Sequence, residues 1–142
     1  MRILGIDYGE ARVGIAITDP LNITAQGLET IQRKDSDKVI LKRLDEILEK
    51  YEVGTIVVGM PLNMNGTISE RAEITEKFIH KLKCKYNNLK IEKVDERLTT
   101  VAAHKTMNFL DINKNKKRNI VDTISAVYIL EIYINKNKEN IS

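Results

Sequence analysis

The chain has 142 residues, of which 42% are hydrophobic and 30% are charged, and its formal net charge is +3. These values fit a single globular domain that buries one continuous core without staples. No apolar run approaches the roughly 20 residues that a membrane-spanning helix needs, and an acid interrupts the first apolar run where a signal peptide would continue. We therefore expect a cytoplasmic protein without a membrane partner.

The content of cysteine and histidine limits the possible chemistry. Cys84 is the one cysteine, so no internal disulfide can form. We interpret it as a structural thiol, because it is predicted on a helix with no obvious base nearby. With only His80 and His104 besides, a zinc site of Cys and His ligands is not expected. Any metal should be a hard ion held by oxygen.

The first third of the chain predicts three strands and a helix. Apolar runs at residues 2–8 and 12–19 are separated by only a few residues, which predicts an antiparallel hairpin. Residues 25–32 predict a third, weaker strand. A helix is expected from Ser36, as its N-cap, to Tyr51, because apolar residues recur at helical spacing.

The middle of the chain predicts alternating strands and helices. Residues 55–59 are rich in β-branched side chains, which is typical of a buried parallel strand. The next strand is expected at residues 91–96. Between them lies a predicted helix whose apolar face comprises Ile68, Ala72, Thr75, Phe78, Ile79 and Leu82.

The last third predicts two more helices. One is capped by Thr99 or Thr100 and extends to about Leu110, and a basic loop follows at residues 113–119. The final helix is expected over 120–134, before a flexible polar tail at about 135–142. Its inward face is predicted to comprise Val121, Ile124, Tyr128 and Ile132.

The resulting order, β-β-β-α-β-α-β-α-α, predicts one α/β domain over residues 1–142. Its sheet should be mixed, with the hairpin strands antiparallel and the later strands joined by crossover helices that cover the sheet.

Acidic residues end the first and last strands. Asp7 ends the first strand, and Gly9 behind it allows a turn and the close approach of a phosphate. Asp95 and Glu96 end the last strand, and successive strand residues face opposite sides, so one of them faces the site and the other does not. If the last strand lies beside the first, that acid lies near Asp7.

A third acid, Asp122, is predicted in the first turns of the final helix. Ser125 and Ala126 after it are small and would let the helix approach the sheet. Each acid alone also fits a structural role: a hairpin turn, a polar strand end, or a helix start favoured by the macrodipole. Together they suit metal chemistry, since clustered carboxylates stay ionised only with cations between them. Paired Mg²⁺ ions about 4 Å apart can bind a phosphate and activate water.

Basic residues accompany the acids, and we expect them to position a nucleic-acid backbone. A lysine run alone is more typical of a solvated loop. The candidates are Arg12, Arg97, Lys116, Lys117 and Arg118. Residues 59–66 lack the glycine patterns of P-loop and dinucleotide sites, and they either line the site with backbone N–H groups or form a rigid connection.

Four stretches in order resemble the YqgF/RuvX family, described as Holliday junction resolvases or pre-16S rRNA nucleases. They are GIDYGEARVGIAITD at 5–19, VVGMPLNMNGTISERA at 57–72, VDERLTTVAA at 94–103 and KKRNIVDTISAVYIL at 116–130. The resemblance implies an RNase H-like fold with a five-stranded sheet. It also implies that Asp7, Glu96 and Asp122 are the catalytic, metal-binding triad.

For function, the resemblance implies a Mg²⁺- or Mn²⁺-dependent endonuclease, a hydrolase of ester bonds in structured nucleic acid. The expected substrate is the 5′ end of pre-16S rRNA in ribosome biogenesis, with junction resolution in DNA recombination and repair as the alternative. Gly9, Asp95 and Thr99 are expected to support the site. Both a monomer and a homodimer are compatible with the sequence, and a symmetric junction would favour a two-fold dimer.

Two other functional classes compete with this interpretation. The same basic loops could hold RNA, or a transcription or ribosome-assembly partner, without cutting, although three intact acids argue against an inactive enzyme. Actin-like phosphotransferases also carry Asp and Gly in their first hairpin. Those proteins close two domains around a nucleotide, which one domain of this length cannot do.

Overall fold

The computed structural model describes residues 1–33, 36–63, 65–96 and 114–141, and within the last of these ranges it describes the side chains of 123–137. The helix predicted after Thr99 or Thr100 lies outside these residues, as does Arg97. Within the described part of the chain, no helix is long and apolar enough to cross a membrane.

Five strands form one sheet. Their bounds are Arg2–Tyr8 (β1), Arg12–Thr18 (β2), Ala25–Gln32 (β3), Val53–Met60 (β4) and Lys90–Asp95 (β5). The order across the sheet is β3-β2-β1-β4-β5. The first three strands are antiparallel, whereas β4 runs parallel to β1 and to β5. The predicted mixed five-stranded sheet is confirmed.

Three helices of the described part of the chain cover the sheet. Their bounds are Lys38–Lys50 (α1), Glu70–Lys85 (α2) and Lys114–Ile141 (α3). One face of the sheet packs on α1 and α2 in a core that includes Ile6, Ile15, Leu44 and Phe78. The other face packs on α3. The sheet therefore separates two apolar layers, and a residue on β1 belongs to one layer or the other by strict alternation.

The bounds predicted for α3 were wrong at both ends. The helix begins at Lys114, so most of the predicted basic loop is helical, and it continues past Ile134 to Ile141. Lys and Arg are good helix formers. Once the central part packs on the sheet, each added residue extends the helix at the low cost of propagation. Asp122 consequently lies in the third turn, and the first turn contains no acid, which excludes the macrodipole explanation for Asp122.

The inward face predicted for α3 was wrong at Ile132, and the side chain of Val121 lies outside those described. Ile132 is 37% exposed, and Ile124 and Tyr128 are only half-buried. The buried residues are instead Ser125, Ala126, Ile129, Leu130, Tyr133 and Ile134. The missing side chain at Gly5 of β1 explains this rotation, because a Cβ there would lie 2.6 Å from Leu130 Cγ and 3.0 Å from the carbonyl oxygen of Ala126.

The starts of α1 and α2 differ from prediction by one or two residues. Asp37, not Ser36, occupies the N-cap of α1, and its side chain makes no capping hydrogen bond. Ile68 was assigned to the inner face of α2 but is 66% exposed and precedes the helix. Ser69 caps α2 by accepting a hydrogen bond from the Ala72 amide at 3.0 Å.

The surroundings of the cysteine also differ from expectation. Cys84 is exposed, and its Sγ lies 3.5 Å from Nε2 of His80, one turn earlier on α2. The prediction of no base nearby was therefore wrong. The helical spacing of four residues brings the two side chains together.

Candidate active site

Asp7 lies on the α3 side of the sheet, near the carboxyl end of β1. Its neighbours Ile6 and Tyr8 both belong to the core beneath α1 and α2. Because side chains alternate along a strand, Asp7 faces the opposite layer. It pairs with Gly14 of β2, which has no side chain.

Glu96 directly follows β5, and its backbone N–H donates a hydrogen bond of 3.2 Å to the carbonyl oxygen of Met60. The conditional expectation that β5 lies beside β1 was wrong, because β4 separates the two strands. That arrangement places β1 and β5 about 10 Å apart. The Glu96 side chain bridges this distance by lying over β4.

Gly59 of β4 makes that crossing possible. A Cβ at this position would lie 2.2 Å from Oε2 of Glu96 and 2.4 Å from Cδ1 of Ile129 on α3. Real atoms do not approach so closely, so any other residue would displace the Glu96 carboxylate and the Ile129 side chain. The sequence pattern indicated Gly59 only as part of a strand-to-helix connection. Its role as the floor beneath Glu96 depends on the strand order.

The carboxyl groups of Asp7 and Glu96 form a hydrogen bond with each other. Burial raises the pKa of Glu96 above its usual value, and the charge of Asp95 acts in the same direction. The hydrogen bond with Asp7 and the positive charge of Arg71 oppose that rise. Two carboxyl groups in contact require either a shared proton or a cation between them.

Asp95 is exposed, whereas the preceding residue, Val94, is buried beneath α3. Alternation along β5 thus directs Asp95 away from the α3 layer and returns Glu96 to it. Periodicity alone left this choice open. The structure brings together Asp7 and Glu96, and the charge of Asp95 acts on Glu96.

Arg71 is a basic residue at the site that was not among the sequence candidates. It lies in the first turn of α2, and its Nη2 donates a hydrogen bond of 2.8 Å to the carbonyl oxygen of Tyr8. That carbonyl follows Asp7 directly in the chain. The stretch resembling the family ended with Arg71 and Ala72, and an arginine at a predicted helix start after a buried strand was the only available signal.

A hydrogen-bonded cluster holds Tyr8 from the other side of the sheet. Its hydroxyl donates a 2.5 Å hydrogen bond to Asp37, and its ring stacks on Phe78 with centroids 4.1 Å apart. Arg33 and Lys81 donate to the same carboxylate at 3.1 and 2.9 Å. Burial and the hydrogen bond to Asp37 raise the pKa of Tyr8 well above its usual value. The cluster fixes the backbone next to Asp7.

The remaining predicted site residues are only partly described. Arg12 begins β2, and its carbonyl oxygen accepts a 3.0 Å hydrogen bond from the amide of Gly9, which closes the turn after β1. Asp122 lies on α3 one turn before the buried Ala126. The backbone of Lys116, Lys117 and Arg118 forms the start of α3. Arg97 and Thr99 are outside the described residues, as is the side chain of Asp122.

Asp7 and Glu96 supply the oxygen ligands that hard divalent cations prefer. Among the residues whose side chains the structure describes, no group of three His, Cys, Asp or Glu side chains is arranged to hold a metal ion. The described part of the site therefore includes the carboxyl groups of Asp7 and Glu96, the nearby guanidinium of Arg71, and Gly59, which leaves space for the Glu96 side chain.

Comparison with known sequences covers almost the whole chain. The family model RuvX, described as Holliday junction resolvase, matches residues 1–136. A protein of Ruminiclostridium cellulolyticum named "Putative pre-16S rRNA nuclease" is 56% identical over 136 residues, which is 96% of this chain and 95% of that protein. A protein of Acetivibrio thermocellus with the same name is 52% identical over 134 residues, covering 94% and 95%.

Comparison with solved structures finds the same fold at low sequence identity. RuvC of Thermus thermophilus has a TM-score of 0.57 at 10% identity, covering 98% of this chain and 97% of RuvC. The Fowlpox virus resolvase, solved with Holliday junction DNA, has a TM-score of 0.58 at 15% identity, covering 96% and 98%. The expected RNase H-like fold is confirmed. On the family match and the relatives above 50% identity, this chain belongs to the RuvX family.

Proposed function

We propose that this protein is a metal-dependent nuclease that hydrolyses phosphodiester bonds in structured nucleic acid. The observation that carries the proposal is the contact between the Asp7 and Glu96 carboxyl groups, which come from separate strands and meet above Gly59. Paired acids with an arginine beside them suit phosphoryl chemistry and need neither His nor Cys.

In this proposal Asp7, Glu96 and Asp122 hold Mg²⁺ or Mn²⁺ and are the catalytic residues. The first two fit this role because their contact requires a shared proton or a cation, and carboxylate oxygens match these ions. When bound, the metal would neutralise the carboxylates, activate a water and stabilise the leaving oxygen. Asp122 is included on the family resemblance and on its position one turn before Ala126.

The basic residues complete the proposal by positioning the nucleic-acid backbone. Arg12 begins β2 at the end of the sheet where β1 finishes, which is also the end where Asp7 lies. Lys116, Lys117 and Arg118 would contact phosphates from the start of α3, and Arg97 from beyond β5. Gly9 closes the turn after β1, while Asp95 and Thr99 would support the acids.

The proposed substrate is the precursor of 16S rRNA, cut at its 5′ end in the cytoplasm. This substrate is carried over from relatives at 56% and 52% identity, whose names specify a pre-16S rRNA nuclease. The description of the family model favours a second candidate, the Holliday junction. Cleaving two symmetric strands of a junction would favour a homodimer, whereas a single cut in RNA suits a monomer.

The test is cleavage of labelled pre-16S rRNA and of a four-way DNA junction in Mg²⁺ or Mn²⁺. The variants are Asp7→Asn, Glu96→Gln and Asp122→Asn, with Glu73→Gln, an exposed acid on α2, as the control. We expect cleavage of the RNA by the wild type and by the control, and a loss of about 100-fold or more in the three site variants.

Undiminished cleavage in Asp7→Asn or Asp122→Asn would reject the assigned triad. Cleavage of the junction alone would reject the RNA substrate and select the second candidate. RNA binding that persists in EDTA, with no cleavage under either metal, would identify a binding protein instead of a nuclease.

A further inference from the structure

The position of Arg71 is fixed by two rigid elements. Its helix starts at a capped N-terminus, where Ser69 accepts from the Ala72 amide and donates to the carbonyl oxygen of Pro61 at 2.8 Å. Its guanidinium binds the carbonyl of Tyr8, and the Tyr8 side chain is held by Asp37 and Phe78. An arginine anchored at both ends loses little entropy when it binds a ligand.

Most of the hydrogen-bonding capacity of Arg71 is unused within the described residues. A guanidinium has five N–H donors, and within this part of the chain the Arg71 guanidinium donates one hydrogen bond, to the carbonyl oxygen of Tyr8. Other arginines complete their ion pairs, as Arg33 does with Asp37 and Arg43 with Glu29. Arg71 is half-buried, and its positive charge acts on the Glu96 carboxyl group.

The ligand that such a group favours is an anion between it and the acids. A planar fork matches two oxygens of a phosphate, and Arg is preferred over Lys wherever that geometry matters. The carbonyl that anchors Arg71 is bonded to the residue after Asp7, so a phosphate on the guanidinium would lie beside the paired carboxyl groups. The metal ions held by the acids and the guanidinium of Arg71 could then contact one phosphodiester from two sides.

We propose that Arg71 binds the non-bridging oxygens of the scissile phosphodiester beside Asp7 and Glu96, and is thus a substrate-binding residue of this site. The inference rests on the proposed nuclease function for its reaction, but the phosphate contact itself can be measured without cleavage. This inference gives α2 a role in the site. None of the site residues predicted from the sequence lies on that helix.

The experiment compares Arg71→Met and Arg71→Lys with Arg43→Met, a control arginine on α1 whose partners are Glu29 and Glu46. The probe is a labelled RNA that spans the 5′ end of 16S rRNA and its leader. Cleavage is measured in Mg²⁺, and affinity is measured in Ca²⁺ over a range of KCl concentrations. Mn²⁺ affinity without RNA and the melting temperature complete the set.

We expect Arg71→Met to lower kcat about 100-fold, and Arg71→Lys to recover only part of that loss because it lacks the fork. The slope of log affinity against log salt should fall by about 0.7–0.9 for one lost phosphate contact. Mn²⁺ affinity should be retained in both variants, and the control should match the wild type in every measurement.

Several outcomes would overturn the inference while leaving the nuclease proposal intact. An unchanged salt slope in Arg71→Met would exclude a phosphate contact. Full recovery by Arg71→Lys would show that a single positive charge is sufficient and that the guanidinium does not contact two phosphate oxygens. Weaker Mn²⁺ binding would show that Arg71 arranges the carboxylates. If the wild type cleaves nothing but Arg71→Met still reduces the slope, the nuclease proposal fails and the phosphate contact stands.

Discussion

The carboxyl groups of Asp7 and Glu96 hydrogen-bond to each other although an entire strand, β4, lies between β1 and β5. The link depends on the missing side chain at Gly59, over which Glu96 passes. The absence of a side chain at Gly59, on the strand between β1 and β5, thus allows the two acids to come into contact.

Gly59→Ala is expected to disrupt this contact. The added Cβ would meet Oε2 of Glu96 and Cδ1 of Ile129 at 2.2 and 2.4 Å. We expect a loss of about 1–3 kcal/mol in the free energy of unfolding from overpacking. Mn²⁺ affinity should fall about 10–100-fold as Glu96 shifts. Urea unfolding and Mn²⁺ titration measure the two effects.

Gly54→Ala is the matched control for that substitution, since it lies on the same strand. There the three atoms nearest to a Cβ all belong to the side chain of Met1, which is 82% exposed and can give way. Its unfolding free energy and Mn²⁺ affinity should stay close to the wild type. Equal effects of the two substitutions would contradict the role assigned to Gly59.

Metal should stabilise the folded chain through Asp7. A ligand that binds only the folded state at 100 times its Kd adds about 2.7 kcal/mol to the free energy of unfolding. We expect a gain of that order for the wild type and for Glu73→Gln when Mg²⁺ or Mn²⁺ is added. Asp7→Asn should show little or none. Differential scanning fluorimetry with a metal titration measures this, and an equal shift in Asp7→Asn would remove Asp7 from the metal site.

Asp37 should matter more for stability than Tyr8, its hydrogen-bond donor. Asp37→Ala leaves the buried Tyr8 hydroxyl without its acceptor and removes the partner of Arg33 and Lys81. We expect a cost of about 1–3 kcal/mol for the unsatisfied groups. Tyr8→Phe removes a single hydrogen bond and should cost about 0.5–1.5 kcal/mol. Chemical unfolding at neutral pH gives both values, and a larger cost for Tyr8→Phe would refute this ranking.

A low pH should destabilise the fold by protonating the carboxyl group of Asp37. Burial acts to raise the pKa of Asp37, but hydrogen bonds from Tyr8 and Lys81 and the charges of Lys81 and Arg33 prevail and lower it. A carboxyl with a lowered folded pKa stabilises the fold above its unfolded pKa of about 3.9. That stabilisation is lost as the pH falls through the folded value, because the unfolded chain then binds more protons.

The measurement is urea unfolding of the wild type and of Asp37→Asn from pH 7 to pH 2.5. The wild type should lose stability below about pH 4 more steeply than the variant, which has no carboxyl at this position. Parallel curves for the two proteins would mean that Asp37 contributes nothing to the acid response.

The local pattern of apolar residues in the sequence was sufficient to predict most of the secondary structure. The run at residues 2–8 became β1 with the predicted bounds, and the few residues before Arg12 forced the hairpin. Ile40, Leu44 and Ile47 face the core from α1 as their spacing predicted. These features depend on residues close together in the chain, where alternation and helical period act directly.

The site depended on contacts between distant parts of the chain. Periodicity required one of Asp95 and Glu96 to face Asp7, but the strand order and the space above Gly59 decided how Glu96 reaches it. The rotation of α3 was likewise set by close packing of Leu130 and Ala126 on Gly5, which a hydrophobic stripe in the helix alone does not specify. Sequence thus determined the elements and, by resemblance, the acids. Only the tertiary structure decided which side chains touch, because steric fit between residues far apart in the chain is a property of the packed fold and not of local period.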